Sequence, residues 1–257
     1  MINGILQWLT DPAHWTGNQS ILRRIVEHLE YSAISLVIAA AIAIPIGIYV
    51  GHSGHGKWAV AVANSLRAVP SLGLLFAVSM WIGPRISSDL AYVIPSVLVL
   101  VLLAVPPILS GTFSGITEVD PAARDAAKGM GMTGPEVLRQ VELPCALPLL
   151  LSGVRSATLQ VIATATIAAA ISLGGLGRFL IDGLAVSDYA QMAGGALLVA
   201  VLALIVDGGL ALVQHSVVSP GLTGKFRGNR PVDPTEAGGA QVPVPTDPPV
   251  EKKRELV

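Results

Sequence analysis

Residues 51–57, Gly-His-Ser-Gly-His-Gly-Lys, have the G-x-x-x-x-G-K spacing of a loop that cradles phosphate. Such a loop needs a hydroxyl residue after the lysine, to hold magnesium, and a strand before it. Here Trp58 follows and an apolar run precedes, so the segment reads as a short interfacial loop and ATP hydrolysis by this chain is not expected. His52 and His55 read as solvated residues of that loop, since the five histidines lack the spacing of metal ligands. Cys145 is the single cysteine, which excludes a disulfide framework and a cysteine-rich metal site. It reads as a packing residue beside Pro144. No Ser/His/Asp or Cys/His grouping suggests nucleophilic catalysis, and neither catalytic residues, a metal nor a cofactor are expected. What remains is charge inside apolar runs: Arg67, Arg155 and Asp207. Ionisable groups in hydrocarbon are costly and normally face a bundle interior. At about 1.5 Å of rise per residue, all three fall about 10–13 Å from the same boundary. Asp207 is therefore expected to pair with Arg155 or Arg67, the alternative being that each arginine snorkels separately to the interface. Ser71, Gln160, Thr164 and Thr166 are candidates to line a solute path, although small polar residues also serve helix packing.

The elements that hold these residues follow from composition. Of 257 residues, 52% are hydrophobic and 13% charged, with a mean hydropathy of +0.66. Soluble domains carry about 25% charge, so this chain cannot cover a water-facing surface in the usual way. A net charge of −1 argues against a nucleic-acid binder. Apolar runs at 31–50, 59–82, 90–112, 147–171 and 190–213 are each long enough to cross a bilayer. The expected fold is all-α, a five-helix membrane core. Residues 1–29 form an N-terminal segment with Trp8, His14 and Trp15 near the membrane surface, and no cleaved signal peptide is recognised. Residues 30–215 form the transmembrane domain. Residues 216–257, rich in Pro, Gly and charge, read as a disordered tail.

Five spans place the termini on opposite sides, and the positive-inside rule chooses between them. With the N-terminus outside, the inner segments hold Lys57, Arg124, Lys128, Arg139 and the tail cations from Lys225 to Arg254. The outer segments then hold only Arg23, Arg24, Arg85 and Arg178. This puts the loop at 113–146, and the C-terminus, in the cytoplasm.

That loop has strong local signals. Asp120 is a good N-cap and Pro121 suits the first helical position. The alanines at 122, 123, 126 and 127 favour helix, and Gly129 and Gly131 stop it. Thr133 with Glu136 three residues later makes a capping box for a second helix, which Leu143-Pro144 is expected to end. The product is a helix–glycine corner–helix whose small side chains admit a partner's groove.

Asp125-Ala126-Ala127, three residues, Gly131, nine residues, Val141, one residue and Leu143-Pro144 resemble the EAA loop of ABC-importer permeases, with Asp for Glu and Val for Ile. The resemblance covers about residues 28–215. It implies the type I importer transmembrane domain in the plasma (inner) membrane, acting as a dimer with a second copy or a paralogue. It also implies that Asp125, Ala126, Ala127, Gly129, Gly131, Met132, Leu143 and Pro144 couple to a separate ABC ATPase subunit. Four further segments resemble the osmoprotectant branch, which imports glycine betaine, choline, carnitine or proline betaine. They are His28-Leu29-Glu30, the run 69–75, the run 153–158, and the stretch from Ala163 to Gly177 with its Gly174-Gly175-Leu176-Gly177 turn. Methionine, phosphonate and sulfonate permeases share parts of these segments and remain the alternative within transport. A passive osmotic channel and a membrane-embedded enzyme are the alternatives of other classes. With no room for a fused binding domain, a separate extracytoplasmic substrate-binding protein is expected.

Overall fold

The computed structural model describes residues 2–88 and 90–218. Ten α-helices occur among them, joined by short 3-10 turns. The expected tail lies outside the described residues from 219 onward.

Helix α1 (Ile2–Thr10) leads through a 3-10 turn at Pro12–Trp15 to helix α2 (Ile21–Ser53). The Ser20 hydroxyl caps α2 by accepting from the Arg23 amide, and Gly54, at φ +70°, ends it with its amide bonded to Val50. The first span therefore starts ten residues before the apolar run, and His52 lies in its last turn. Among the described residues, four helices are long and apolar enough to cross a membrane: α2, α5 (Leu90–Thr117), the 38-residue run Gly134–Ile171, and α10 (Tyr189–Val217); a bent pair at 57–85 makes five if counted as one broken span.

The second expected span is not one helix. Residues 59–82 divide between α3 (Lys57–Ser65), a 3-10 turn at Leu66–Ala68, and α4 (Ser71–Ile82), and the two halves are bent by 96°. The cause is Pro70. It lacks an amide donor, and its ring drives Val69 out of the helical region, to φ −74° and ψ 128°. Arg67 sits in the turn, exposed, at the break itself.

The packing centre is α5. On one side it meets α2, on the other α8 (Leu143–Ala168), and glycine sets both distances. A Cβ on Gly47 would lie 2.7 Å from the Thr112 Cβ, and one on Gly51 would lie 2.7 Å from the Ile116 Cβ. Across the other face, a Cβ on Gly111 would lie 2.8 Å from the Gly153 Cα, and one on Gly115 would lie 2.8 Å from the Ala146 carbonyl oxygen. Lipid supplies no hydrophobic drive between helices, so close backbone approach and dispersion hold them. Ala39, Ala43, Leu100, Ala104, Ile108, Ala157, Val161 and Ala165 fill the core between the three.

The end of the molecule away from residues 118–142 is closed by polar contacts. Helix α6 (Pro121–Gly129) and α7 (Gly134–Val137) precede α8, and α9 (Gly177–Val186) follows it. Asp188 caps α10 through the Ala190 and Gln191 amides, both at 3.0 Å. The Trp8 ring fills the space over Gly194 and meets Phe179 edge-on at 5.2 Å. Trp8 is thereby buried in the protein rather than presented to a membrane surface.

Replacing Gly111 by Val is expected to push α5 and α8 apart. Overpacking of this kind costs about 1–3 kcal/mol where neighbours can yield, and here the neighbour is backbone. The variant should aggregate in size-exclusion chromatography in detergent at a temperature where Gly208→Val, with open space at its Cβ, still runs as a single species.

Candidate functional site

The loop between α5 and α8 folds as its local signals require. The Asp120 carboxylate accepts from the Ala122 amide at 2.9 Å and caps α6. Gly131, at φ +89°, makes the corner, a conformation that side chains other than glycine strain to adopt. Thr133 and Glu136 form the capping box of α7, with Glu136 Oε2 accepting from both the Thr133 amide and hydroxyl at 2.7 Å. Asp125, Ala126, Gly129 and Gly131 are exposed, whereas Ala127 and Val137 point inward and are buried. Met132 and Leu143 are half-buried, and Met130 projects its side chain into solvent.

Leu143-Pro144 does not end the second helix. Residues Leu138–Glu142 form a π turn that runs straight on into α8, so that Gly134–Ile171 is one continuous element. The wide turn resolves the conflict that proline normally creates. The Leu143 amide reaches back five residues to the Leu138 carbonyl, and Pro144 falls in the first turn of the resumed α-helix, where a missing donor costs little. The loop is thus rigidly continuous with a spanning helix.

A buried ion cluster fixes the loop's other end. Glu142 is 3% exposed. Its Oε2 lies 2.6 Å from His52 Nδ1, at the end of α2, and its Oε1 lies 2.9 Å from Arg124 Nε, on α6. The Arg124 Nε–H is not aimed along that line, so the contact is ionic rather than a hydrogen bond. Arg124 also donates through Nη2 to the Ile116 carbonyl near the end of α5. His52 is therefore a partner of the loop and not a solvated residue of the turn at 54–56. His55 is exposed and bonds only within its own turn. Sequence reading did not single out Glu142, Arg124 or His52 as a group, because they lie far apart in the chain.

Of the three charges within apolar runs, two meet. Arg155 forks onto Asp207, Nε to Oδ1 at 3.0 Å and Nη2 to Oδ2 at 2.9 Å. Its remaining Nη1 donates to Gln214 Oε1 at 3.0 Å, and the Gln214 amide donates to the Pro148 carbonyl at 3.1 Å. This fastens α10 to α8. Arg67 does not join them. Thr164 and Thr166 donate to carbonyls of their own helix, those of Gln160 and Ala163.

Two segments quoted above for their family likeness meet at the far end. Buried His28 places Nε2 3.0 Å from the Ile162 carbonyl, and its ring and backbone crowd the space a Cβ would take at Gly175, which has φ +85°. One residue earlier, Glu27 accepts from the Gly175 amide at 3.0 Å while bonded to Arg23 and Arg24. Glu27 is the contributor that the sequence did not reveal.

An all-helical membrane domain, with one exposed helix–turn–helix built onto a spanning helix, is the architecture of a transport protein's transmembrane part. The family of binding-protein-dependent transport system inner membrane components matches residues 20–219, and the chain belongs to it as a multi-pass membrane protein. It is 34% identical over 212 residues to the glycine betaine/carnitine/choline transport system permease protein OpuCB of Bacillus subtilis, covering 81% of this chain and 94% of the relative. It is 30% identical to the choline transport system permease protein OpuBB of the same organism, covering 80% and 93%. Against the osmoprotectant import permease protein OsmW of Salmonella typhimurium it is 32% identical, covering 76% and 91%. A solved chain of the MetNI methionine ABC transporter, in an inward-facing form, superposes with a TM-score of 0.69 at 19% identity over 83% of this chain and 98% of that one. The fold is that of a type I importer transmembrane domain.

Removing the Glu142 carboxylate should free the loop from α2. Breaking a buried pair by deleting one member costs about 3 kcal/mol or more, so Glu142→Ala is expected to lower the melting temperature in detergent. It should also expose 118–142 to limited proteolysis. In a double-mutant cycle with Arg124→Ala, the two losses should be strongly non-additive; additive losses would mean that the two side chains act separately.

Proposed function

We propose that this chain is the transmembrane permease subunit of an ATP-driven importer for osmoprotectants such as glycine betaine, choline or carnitine. The observation that carries the reading is the combination of that 34% likeness, sustained over most of both chains, with an exposed loop built rigidly onto a spanning helix. Glycine betaine, carnitine and choline are what the similar permeases are named for, and this favours the reading over a methionine, sulfonate or phosphonate permease and over a passive channel.

In this reading α6 and the corner at Gly131 enter a cleft of a separate ABC ATPase. Asp125, Ala126, Gly129, Gly131 and Met132 form the contact, buried Ala127 packs α6 from behind, and Leu143 and Pro144 start the helix that receives the motion. A ligand shifts an equilibrium only through its different affinity for two states. The nucleotide cycle would therefore act through the different contacts that the loop makes with open and closed ATPase. The π turn and Glu142 then pass that displacement to α8, α2 and α5 together. A separate binding protein would deliver solute to the opposite face, and a second copy or a paralogue would complete the path. The N-terminus lies outside and the C-terminus in the cytoplasm, as the distribution of Lys and Arg favours.

The test is uptake of labelled glycine betaine, choline and methionine by a strain lacking its own importers and expressing this chain with its ATPase and binding protein. Uptake of glycine betaine or choline that depends on ATP is expected. Methionine uptake with neither of the others would overturn the solute class. Gly131→Val, strained by its φ rather than by any clash, should lower uptake at least tenfold at an unchanged amount in the membrane. Undiminished uptake would remove the loop from the coupling path.

A further inference from the structure

Between α5 and α8, and reaching the break in the second span, lies a groove of about 300 Å³. Its floor is the contact of Gly111 with Gly153, where the two helices are closest. Its walls are hydroxyls and charge. Ser110, Ser114 and Glu118 follow one another at i, i+4 and i+8 along the end of α5, and Ser152 and Ser156 stand at i, i+4 on α8. Arg67 closes the groove from the break.

Two features leave these residues open to a ligand, although the hydroxyls of Ser32, Ser35 and Ser79, away from the groove, are also without a partner. First, hydroxyls in apolar helices usually return to a carbonyl of the preceding turn. Ser96, Thr112, Thr158 and Thr164 do so here, each to the carbonyl four residues back. Among the described residues, the hydroxyls of Ser110, Ser114, Ser152 and Ser156 make no such bond. Second, the groove holds one cation and one anion, Arg67 and Glu118, that form no ion pair with each other or with any described residue. Arg67 is exposed on the turn at the break, so its guanidinium is open to an anion. No aromatic side chain lines the groove, so a quaternary ammonium here would be met by carboxylate charge and not by ring faces.

We propose that this groove is a solute-binding site within the membrane domain, built for a small zwitterion. The carboxylate of the solute lies on Arg67 and the serine hydroxyls, and its ammonium head is turned toward Glu118. The proposal rests on the transport reading above and adds the residues that would recognise the solute. About eleven residues separate Pro107 from Glu118, so the groove follows about 16 Å of helix rise. It ends beside the Asp120 cap of α6. Weak, distributed contacts of this kind suit a path that must release what it binds.

The experiment uses the assembled transporter in right-side-out vesicles loaded with ATP, with its ATPase on the inner face, its binding protein outside, and a membrane-permeant maleimide. In a Cys145→Ala background, Ser114→Cys is alkylated by a maleimide. Saturating glycine betaine should slow the labelling at least fivefold, and an equal concentration of sucrose should not. Choline, which lacks the carboxylate, should protect less well than glycine betaine, and Arg67→Gln should abolish that difference. Glycine betaine uptake should fall at least tenfold in Arg67→Gln and be largely restored in Arg67→Lys. If wild-type vesicles take up glycine betaine while Ser114→Cys is labelled at the same rate with and without it, the groove is not the site and the transport reading stands. If Arg67→Gln keeps more than half of wild-type uptake, Arg67 has no part in recognition and the proposal falls. Absence of any uptake by the wild type would overturn the transport reading, and this proposal with it. Should Arg67→Gln fail to insert, protection of Ser114→Cys in the Arg67 background decides the matter alone.

Discussion

One buried carboxylate determines whether the exposed loop is a flexible tether or part of the bundle. Glu142 touches His52 from the end of the first span and Arg124 from the first helix of the loop, and it is itself the last residue of the turn that becomes α8. A charge buried to this extent is tolerated only when it is paired and geometrically held. The same requirement ties its partners to it: if either α2 or α6 moved away, the buried carboxylate would lose one of its two contacts. The loop is therefore constrained from two directions, by ionic contact at Glu142 and by covalent continuity through the π turn.

Rigidity at the loop would have no consequence if the spanning helices behind it were loosely packed. The glycine contacts prevent that. Gly47 and Gly51 bring α2 onto Thr112 and Ile116, while Gly111 and Gly115 bring α5 onto Gly153 and Ala146. All of these lie in the same half of the bundle as the loop. Behind α6 the three helices are closely packed, glycine against side chain between α2 and α5 and glycine against backbone between α5 and α8. The opposite half is held differently, by His28 and Glu27 against the Gly174-Gly175 turn and by Trp8 over Gly194.

What the sequence made legible was local. The caps at Asp120 and Thr133 and the glycine corner depend on residues within four positions of one another, and they fold as read. The apolar runs gave the spans for the same reason. Two expectations failed where proline acted against its usual effect or beyond it. Pro70 broke a run that hydropathy alone joins, because hydropathy carries no information about a missing amide donor. Pro144 was expected to stop a helix, and the π turn before it absorbed the conflict instead. The ion clusters were legible only in part. Charges inside apolar runs stand out, so Arg155 and Asp207 could be named; Glu142, Arg124 and His52 lie in polar segments, where nothing marks a buried pair until the fold brings them together. The serines of the groove carried a readable signal, the i, i+4 spacing on two helices, but it acquires meaning only once α5 and α8 are known to face each other.

The two arginines within the apolar runs show how the same side chain takes different roles according to what surrounds it. Arg155 has its fork filled by Asp207 and its last nitrogen by Gln214, which is itself tied to the Pro148 carbonyl. Its donors are consumed inside the protein, so it fastens α10 and offers little to a ligand. Arg67 has the opposite history. The Pro70 break removes it from the regular helix and sets it on a turn, where its guanidinium opens toward hydroxyls and a carboxylate that it does not reach. An unbroken span would have given Arg67 the same problem that Arg155 solves by pairing. The break instead sets Arg67 exposed on a turn, where its charge need not be paired within the protein.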